Sequence, residues 1–354
     1  MDKHNDIASL LGSCPRPLLE SDEILLGHGS GGKLTADLLD KLFIPAFHNP
    51  YLDKLNDQAV LDINGVRLAF TTDSFVVTPM FFPGGDIGRL AVNGTVNDLA
   101  MSGARPLFLS AGFILEEGCL ITDLERIVTS VRKACEGAGV LLVTGDTKVV
   151  NRGSGDKVFI NTSGIGVVER DITISADRAQ VGDRILLSGT IADHGMAVMS
   201  TREGLELEST IVSDTAPLHE LVASMLGVSR EVHCLRDPTR GGVAGTLNEL
   251  AKQSKVGMVI DETAIPIKEA VKGLCEILGI DPLYVANEGK LIAIVQRDVA
   301  DAVLARMKSL ASGRDACILG EVVADHPGMV VMKTKIGGTR IVDLMMGEQL
   351  PRIC

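Results

Sequence analysis

The chain has 354 residues, of which 45% are hydrophobic and 23% are charged, the balance of a folded globular protein. Its net charge is −12 and it has no run of Lys and Arg, which argues against a nucleic-acid-binding surface. No apolar run approaches the roughly 18 residues that span a bilayer, and the N terminus has no signal-peptide pattern. We therefore expect a soluble, cytoplasmic protein that binds neither nucleic acid nor membrane.

In chain order, residues 1–22 form an irregular extension, because Cys14-Pro15-Arg16-Pro17 blocks both helix and strand. A Gly-rich loop follows at residues 27–32. The dipeptide Asn64-Gly65 between two alternating segments predicts a β-hairpin with strands at 58–64 and 66–72. Periodicity then predicts helices and strands in alternation: helices at 86–103 and 121–137, and strands at 108–115, 139–144 and 158–168, the second of these strands being buried.

A second half begins near residue 170, with a strand at 184–188 after the Gly182-Asp183 turn. It continues with a hairpin around Gly337-Gly338 and with helices at 191–204, 214–226, 241–254, 266–278 and 297–310. This order predicts an α+β fold of two domains, 23–170 and 171–344, each with a mixed sheet and flanking helices. Residues 345–354 have little periodicity and are predicted to form a mobile tail.

Two kinds of segment are typical of nucleotide chemistry. The Gly-rich loop would let backbone N–H groups approach a polyphosphate, although a plain flexible linker has a similar composition. Several aspartates lie where predicted elements end, and convergent carboxylates would suit Mg–ATP. The alternative is that each is a helix cap or a turn former. These aspartates are Asp57, Asp73, Asp98, Asp146 and Asp237.

Three further residues are candidates for catalysis. Lys148 follows a predicted buried strand and could meet a transferring phosphoryl group, and Glu288 precedes a strand and could act as a general base. Each could equally be half of a surface ion pair. His194 and His233 have no partner at metal-ligand spacing, and we assign them no role.

The terminal residue, Cys354, is the third candidate. The seven cysteines are scattered, odd in number and without a C-x-x-C pair, which argues against disulfides and structural zinc. A thiolate is a strong nucleophile, and a tail of about nine residues reaches roughly 30 Å at full extension. The alternative is an incidental terminal residue.

Taken together, these segments resemble the HypE-type carbamoyl dehydratases of hydrogenase maturation. That family belongs to the superfamily of aminoimidazole ribonucleotide synthetase and selenophosphate synthetase. The resemblance is carried by residues 27–32, 72–74, 81–85, 96–98, 143–150, 240–243, 286–290 and 351–354. The most specific parts are Thr144-Gly145-Asp146-Thr147-Lys148 and the ending Pro351-Arg352-Ile353-Cys354.

The resemblance implies a homodimer that pairs its N-terminal sheets and binds ATP in a cleft between domains. It implies that the carbamoyltransferase HypF loads a carbamoyl group onto Cys354, that ATP drives its dehydration to a thiocyanate, and that the cyano group passes to iron on a HypC–HypD complex. It also implies the roles of the site residues. These are catalysis by Cys354, Lys148 and Glu288; nucleotide binding by Gly29, Gly31, Gly32, Asp73, Asn97, Asp146 and Thr147; and Mg²⁺ binding by Asp57, Asp98 and Asp237.

The sequence departs from the superfamily in three places. Asn56-Asp57 stands where two acidic residues are common, and residues 1–22 have no counterpart. Cys14 lies outside the Gly-rich loop, where selenophosphate synthetases have their reactive residue, which argues against that activity. Two other functions are compatible with the sequence. One is an ATP-dependent enzyme that acts on a free small molecule, which leaves the Pro-Arg-Ile-Cys ending without a purpose. The other is an assembly scaffold that holds ATP as a structural ligand.

Overall fold

The computed structural model describes residues 22–204, 211–347, 350 and 352–354. The predicted N-terminal extension, apart from residue 22, and Pro351 therefore lie outside the described residues. The described part is a mixed α+β fold with a five-stranded and a seven-stranded sheet, as predicted. No helix within the described ranges is long and apolar enough to cross a membrane.

The first half of the chain forms the five-stranded sheet, with strand order β1-β2-β7-β5-β6. All neighbours are antiparallel except β5 and β6, which are parallel. The strands are β1 (Ala59–Ile63), β2 (Val66–Phe75), β3 (Phe81–Phe82), β4 (Gly85–Asp86), β5 (Arg105–Glu116), β6 (Leu141–Val150) and β7 (Val158–Val168), of which β3 and β4 pair separately. The helices are α1 (Lys33–Leu38), α2 (Ile44–Phe47), α3 (Ile87–Ala100) and α4 (Ile121–Ala138).

The predicted hairpin and the first long helix are confirmed. Asn64 and Gly65 both adopt positive φ, at 55° and 80°, as the tight turn between β1 and β2 requires. Asp86 caps α3 by accepting hydrogen bonds from the backbone N–H groups of Gly88 and Arg89, at 2.8 and 3.1 Å. Nearly every residue of α3 is buried, because the helix lies between the sheet and the second half of the chain.

The prediction that the strand before Lys148 is buried is wrong for the single chain. β6 is the edge of its sheet and is exposed along almost its whole length. Its apolar run includes Leu141, Val143 and Val149, which are 64%, 58% and 69% exposed. An unbroken apolar run is typical of a strand covered on both faces, but in this fold the strand is uncovered.

The second half forms the seven-stranded sheet, with strand order β14-β13-β10-β12-β8-β11-β9. Its central strands β8 and β11 are almost wholly buried, which accounts for their continuous apolar sequence. The strands are β8 (Arg184–Leu187), β9 (Val232–Arg236), β10 (Gly257–Asp261), β11 (Ile292–Val295), β12 (Cys317–Val323), β13 (Val330–Lys333) and β14 (Thr339–Val342). The helices are α5 (Asp193–Arg202), α6 (His219–Leu226), α7 (Gly242–Ser254), α8 (Glu269–Leu278) and α9 (Arg297–Lys308).

One helix begins later than predicted. The helix expected at 214–226 is α6, which starts at His219. Pro217 disfavours helical backbone at the residue before it, and the preceding segment is instead held by side chains of the first half. Asn97 Oδ1 accepts from the backbone N–H of Leu218 at 2.8 Å. This irregular segment, 211–218, reaches the interdomain cleft.

The described part of the tail is docked on the protein. The backbone N–H of Lys33 donates to the carbonyl oxygen of Met345 at 2.9 Å, where the tail begins. At the other end, Ile353 is 5% exposed and belongs to the hydrophobic core that α3 and α5 share. The mobility of the tail stays a prediction, but its docked position is defined.

Candidate active site

A cleft between the two halves contains most of the candidate residues. A cavity of about 300 Å³ opens there, between the Gly-rich loop, the end of β2, the loop after β9 and the docked tail. Its wall is lined by residues of all four segments: Gly29, Ser30, Ser74, Arg240, Ile353 and Cys354 are among them. Four separate stretches of sequence thus meet at one cavity.

Four of the predicted aspartates form one electrostatic cluster at this cleft. Burial and neighbouring carboxylates, opposed by Arg236, raise the pKa of Asp57 to about 6 and that of Asp237 to about 8. Burial, followed by the charges of Asp237, Asp73 and Asp57, raises the pKa of Asp98 well above its usual range. The pKa of Asp73 is also raised, chiefly by burial. The carboxylates therefore lie close enough to repel one another in a weakly solvated place.

Two side chains fix this cluster in position. Thr71 Oγ1 lies 2.9 Å from Asp98 Oδ2 and 2.8 Å from the backbone carbonyl of Asp57, so it ties β2 to α3 and to the loop before β1. Arg236 Nε lies 2.8 Å from Asp57 Oδ1, while its Nη2 lies 2.9 Å from Glu249. Arg236 comes from β9, so this ion pair joins the two halves of the chain at the cluster.

The amide of Asn56 has a structural function. Its Oδ1 accepts from the backbone N–H of Ala176 at 2.9 Å, and its Nδ2 donates to Ser175 Oγ at 3.2 Å. A carboxylate could accept the first bond but could not donate the second. The side chain of Asn56 therefore contacts the linker between the two sheets.

Glu288 and Cys354 meet at the end of the cluster. Glu288 is 3% exposed, and its Oε1 has no hydrogen-bond partner among the described residues. Burial, and then the charges of Asp237, Asp73 and Asp214, raise its pKa well above the usual range. The pKa of the Cys354 thiol is raised by burial and by Glu288, and Arg240 opposes the shift. An orphaned carboxyl oxygen beside a terminal thiol is suited to accept a proton from a group carried on that thiol.

The loop that carries Glu288 is held by one residue of each half of the chain, Asn97 and Asp214. Asn97 is completely buried, and its Nδ2 donates to the backbone carbonyls of Ala216 and Glu288, at 3.1 and 3.3 Å. Asp214 Oδ1 accepts from the Glu288 N–H at 3.1 Å, and Asp214 also pairs with Lys290 at 3.2 Å. The side chain of Asn97 thus hydrogen-bonds the protein backbone, and its contact with nucleotide stays a prediction.

The Gly-rich loop packs tightly against the loop after β9. Gly31 has φ +74°, and a Cβ there would lie 2.6 Å from the carbonyl oxygen of Arg240. The N–H groups of Gly31 and Gly32 already donate to Thr35 Oγ1 and Ser30 Oγ, at 3.0 and 3.4 Å. Gly29 has open space around it and lines the cavity. Of the three predicted phosphate-binding glycines, Gly29 is therefore the best placed.

Three predicted residues lie apart from this cluster in the same chain. Asp146, Thr147 and Lys148 are on the exposed edge strand β6, where Lys148 Nζ and Asp146 Oδ2 form an ion pair at 3.2 Å with both side chains about 70% exposed. Gly145, the residue before Asp146, is in register with Asp73 across the sheet. The strands β7 and β5 lie between them, so three interstrand spacings separate the two residues. With strands about 4.8 Å apart, that separation is roughly 14 Å. One chain does not bring the two groups together.

The cluster fits Mg²⁺ only as a site shared with phosphates. Within the described ranges, no three His, Cys, Asp or Glu side chains are arranged to hold a metal ion by themselves. Mg²⁺ is usually held by one or two carboxylates, with phosphates and water as the other ligands. The mutual repulsion within the cluster is the condition that a cation would relieve. Asp98 and Asp237 are free of ion pairs with Arg236, whereas Asp57 is paired with it.

Sequence reasoning missed three residues at the cleft. Arg236 and Arg240 flank the predicted Asp237, but no local pattern indicated that they face Asp57 and Cys354. His194 was assigned no role, yet its Nε2 lies 2.8 Å from the carbonyl oxygen of Ile353. The two partners are 159 positions apart in the sequence, so spacing could not reveal the contact. His233 is a structural residue, buried 2.7 Å from Asp183.

Comparison with known families gives the class of this fold and site. The N-terminal domain of AIR synthase related proteins matches residues 55–168, and the C-terminal domain of the same proteins matches residues 180–333. The chain is therefore a two-domain protein of the AIR synthase-related superfamily.

Individual relatives define the family within this class. Carbamoyl dehydratase HypE of Azotobacter vinelandii is 55% identical over 336 residues, covering 95% of this chain and 98% of the relative. The protein of the same name from Cupriavidus necator is 56% identical over 341 residues, covering 96% and 97%. This chain belongs to the HypE family of carbamoyl dehydratases, as its motifs predicted.

Solved structures of the family have the same fold. A HypE–HypF complex matches with a TM-score of 0.83 and 51% identity, covering 87% of this chain and 99% of the solved one. Hydrogenase maturation protein HypE in complex with ATP matches with a TM-score of 0.79 and 51% identity, covering 94% and 100%.

Proposed function

We propose that this chain uses ATP and Mg²⁺ to dehydrate an S-carbamoyl group on Cys354 to a thiocyanate, and so supplies cyanide for the iron of nickel–iron hydrogenase. The observation that carries the proposal is the position of Cys354, beside Glu288 and Arg240 at the end of the carboxylate cluster. Membership of the HypE family supports the dehydratase activity, and the relative solved with ATP supports the nucleotide.

The reaction balances without a redox partner. A carboxamide oxygen is a poor leaving group, so the γ-phosphoryl group of ATP is first transferred to it, with release of ADP. The C–O bond then breaks, and the oxygen leaves as phosphate. The two N–H protons leave as the C≡N bond forms, one to a protein base and one to solvent, so the carbamoyl group loses the elements of one water. Sulfur stays bonded to carbon throughout.

The residues of the cleft have distinct tasks in this reaction. In its ionised form, Glu288 takes a proton from the nitrogen, because its Oε1 is unpaired and burial makes the carboxylate a stronger base. Arg240 offers a positive charge to the oxygen as it becomes a phosphate. Asp73 and Gly29 border the site of the nucleotide, with Gly31 and Gly32 shaping the loop around it.

Asp98 and Asp237, with Asp57 as a third ligand, would hold the metal together with the phosphates. A bound Mg²⁺ would supply positive charge to offset the charge of phosphoryl transfer. Arg236 keeps Asp57 oriented towards the cluster through the 2.8 Å ion pair.

A second copy of the chain completes the site. The exposed apolar residues of β6 and the open edge of the strand are features of an interface between protein surfaces. A homodimer that pairs its N-terminal sheets covers this strand. It also lets Asp146, Thr147 and Lys148 of one subunit act on the ATP of the other, which the roughly 14 Å gap within one sheet prevents.

The tail must also leave the cleft. HypF, the partner in the solved HypE–HypF complex, is the proposed source of the carbamoyl group, and a HypC–HypD complex the proposed acceptor of the cyano group. Both exchanges need Cys354 outside the cavity, and the tail is long enough for that excursion.

Two substitutions separate loading from dehydration. Cys354→Ala should accept no carbamoyl group from the transferase. Glu288→Gln should load normally but lose water on addition of ATP at least about a hundredfold more slowly, because a neutral amide is not a proton acceptor. The readout is the mass of the C-terminal peptide before and after ATP.

Glu276→Gln is the matched control, because Glu276 is a 70% exposed surface residue of α8. It should behave as the unsubstituted chain in both steps. Two results would instead favour an enzyme that acts on a free small molecule. One is carbamoyl loading of Cys354→Ala. The other is that a chain without the tail hydrolyses ATP as fast as the complete chain.

A further inference from the structure

The last three residues pair with the segment after β2 through two backbone hydrogen bonds. The backbone N–H of Val76 donates to the main-chain oxygen of Cys354 at 3.1 Å, and that of Thr78 donates to the carbonyl oxygen of Arg352 at 3.2 Å. The carbonyl of Ile353, between these two acceptors, takes no part in this pairing. Because Ile353 is 5% exposed, its carbonyl needs a partner from another element.

His194 is that partner. It lies in the first turn of α5 and is completely buried, with Nε2 2.8 Å from the Ile353 carbonyl oxygen and Nδ1 2.8 Å from Ser213 Oγ. The ring meets Phe82 edge to face, with centroids 5.3 Å apart. A carbonyl can only accept, so Nε2 carries the proton and Nδ1 accepts from the Ser213 hydroxyl. Burial lowers the pKa of His194, in agreement with this neutral form.

The same segment connects His194 to the catalytic loop. Ser213 is followed by Asp214, which accepts from the Glu288 N–H at 3.1 Å. Ser213 is itself held by its N–H, which donates to the carbonyl oxygen of Pro83 at 2.9 Å. One irregular stretch therefore orients both the ring that holds the tail and the carboxyl group that faces Cys354.

We propose that His194 is a positioning residue for this reaction: by donating Nε2–H to the Ile353 carbonyl, it holds Cys354 against Glu288 and sets the fraction of time that the terminal cysteine spends in the cleft. The inference rests on the proposed function only in taking Cys354 as the reacting residue. Recognition of a backbone carbonyl leaves the Cys354 side chain free to carry its substituent.

The test measures how often Cys354 leaves the cleft, with the complete chain and without ATP. Iodoacetamide alkylates the thiol when the tail is undocked, and the mass of the C-terminal peptide gives the rate. His194→Leu removes the donor and leaves a buried carbonyl unpaired, so we expect alkylation about tenfold faster. His194→Gln keeps an N–H donor and should stay within about threefold of the unsubstituted rate.

Two further variants make the result specific. His233→Leu alters an equally buried histidine that contacts Asp183 and not the tail, and it should leave the alkylation rate unchanged. Ser213→Ala keeps the ring but removes the hydroxyl that fixes its tautomer, and we expect a smaller acceleration. The proposal would be overturned if His194→Leu and Ser213→Ala were both alkylated at the rate of the unsubstituted chain. It would also be overturned if His233→Leu were alkylated as fast as His194→Leu.

A second readout separates this inference from the proposed function. In carbamoyl-loaded protein, His194→Leu should lower the rate of ATP-dependent dehydration and leave the KM for ATP unchanged, with rescue by His194→Gln. If neither the unsubstituted chain nor any variant dehydrates, yet alkylation follows the predicted order, the proposed function fails, while the role of His194 in holding the tail stands.

Discussion

At the scale of single residues, the carboxylates of the cleft are placed at a cost in stability. Asp237 is 7% exposed, and its pKa is raised to about 8 by burial and by its acidic neighbours. A folded state that binds a proton more tightly than the unfolded chain loses stability as the pH rises through the interval between the two pKa values. For Asp237 this interval runs from 3.8 to about 8.

Replacing Asp237 by Asn should therefore stabilise the protein in the absence of Mg²⁺. We expect the free energy of unfolding to rise by about 1 kcal/mol near pH 9, with a smaller gain near pH 6. Mg²⁺ should stabilise the unsubstituted chain near pH 9 and the variant much less, because the variant lacks a ligand. Urea denaturation at both pH values, with and without Mg²⁺, measures these differences.

Asp261→Asn is the control for this comparison. The Asp261 carboxylate accepts from Thr263, which lowers its pKa, so its contribution to stability is present above the unfolded pKa and is lost on substitution. The control should be destabilised near pH 9 and should respond to Mg²⁺ as the unsubstituted chain does. A destabilised Asp237→Asn protein would contradict the account of the cluster as strained.

At the scale of elements, the sequence predicted whatever depended on local pattern. The hairpin at Asn64-Gly65, helix α4 and strand β7 follow from turn chemistry and periodicity alone, and they lie close to the predicted ranges. The exposure of β6 could not be predicted, because it depends on which strand occupies the edge of the sheet. The contacts of His194 and Arg236 could not be predicted either, since each partner comes from a distant part of the chain.

The contact between the Gly-rich loop and the loop after β9 makes a prediction at this scale. Gly241 has φ +78°, and a Cβ there would lie 2.8 Å from the carbonyl oxygen of Gly31. Gly241→Ala should destabilise the protein by about 3 kcal/mol, from backbone strain together with displacement of the loop. It should also weaken nucleotide binding, because the displaced loop borders the cavity.

Gly139→Ala separates the two causes. Gly139 also has positive φ, at +65°, but no atom lies within 4 Å of the position that a Cβ would take. This control should cost about 1 kcal/mol from backbone strain alone and leave nucleotide binding unchanged. Thermal unfolding and nucleotide titration measure both effects, and equal losses in the two variants would exclude the packing of the two loops as the cause.

At the scale of the whole molecule, the predicted site residues fall into two groups. The carboxylate cluster, Glu288 and Cys354 meet in one cleft, whereas Asp146, Thr147 and Lys148 lie on the exposed edge of the sheet. In the proposed dimer, each cleft receives its second group from the partner. A shared site makes activity depend on how two chains are combined, which no property of one chain reveals.

Mixing two inactive variants tests this arrangement. Lys148→Ala lacks the edge-strand lysine, and Asp98→Asn lacks a carboxylate of the cleft. If the site is shared, a random mixture should recover about a quarter of the unsubstituted activity, because about half of its dimers are mixed and one of the two clefts in each mixed dimer has both groups intact. Asp98→Asn mixed with Glu288→Gln is the control and should recover none, since both changes lie in the same group. Recovery of no activity in the first mixture, with subunit exchange verified by mass, would place Lys148 and Asp98 of one chain in a single site and contradict the shared arrangement.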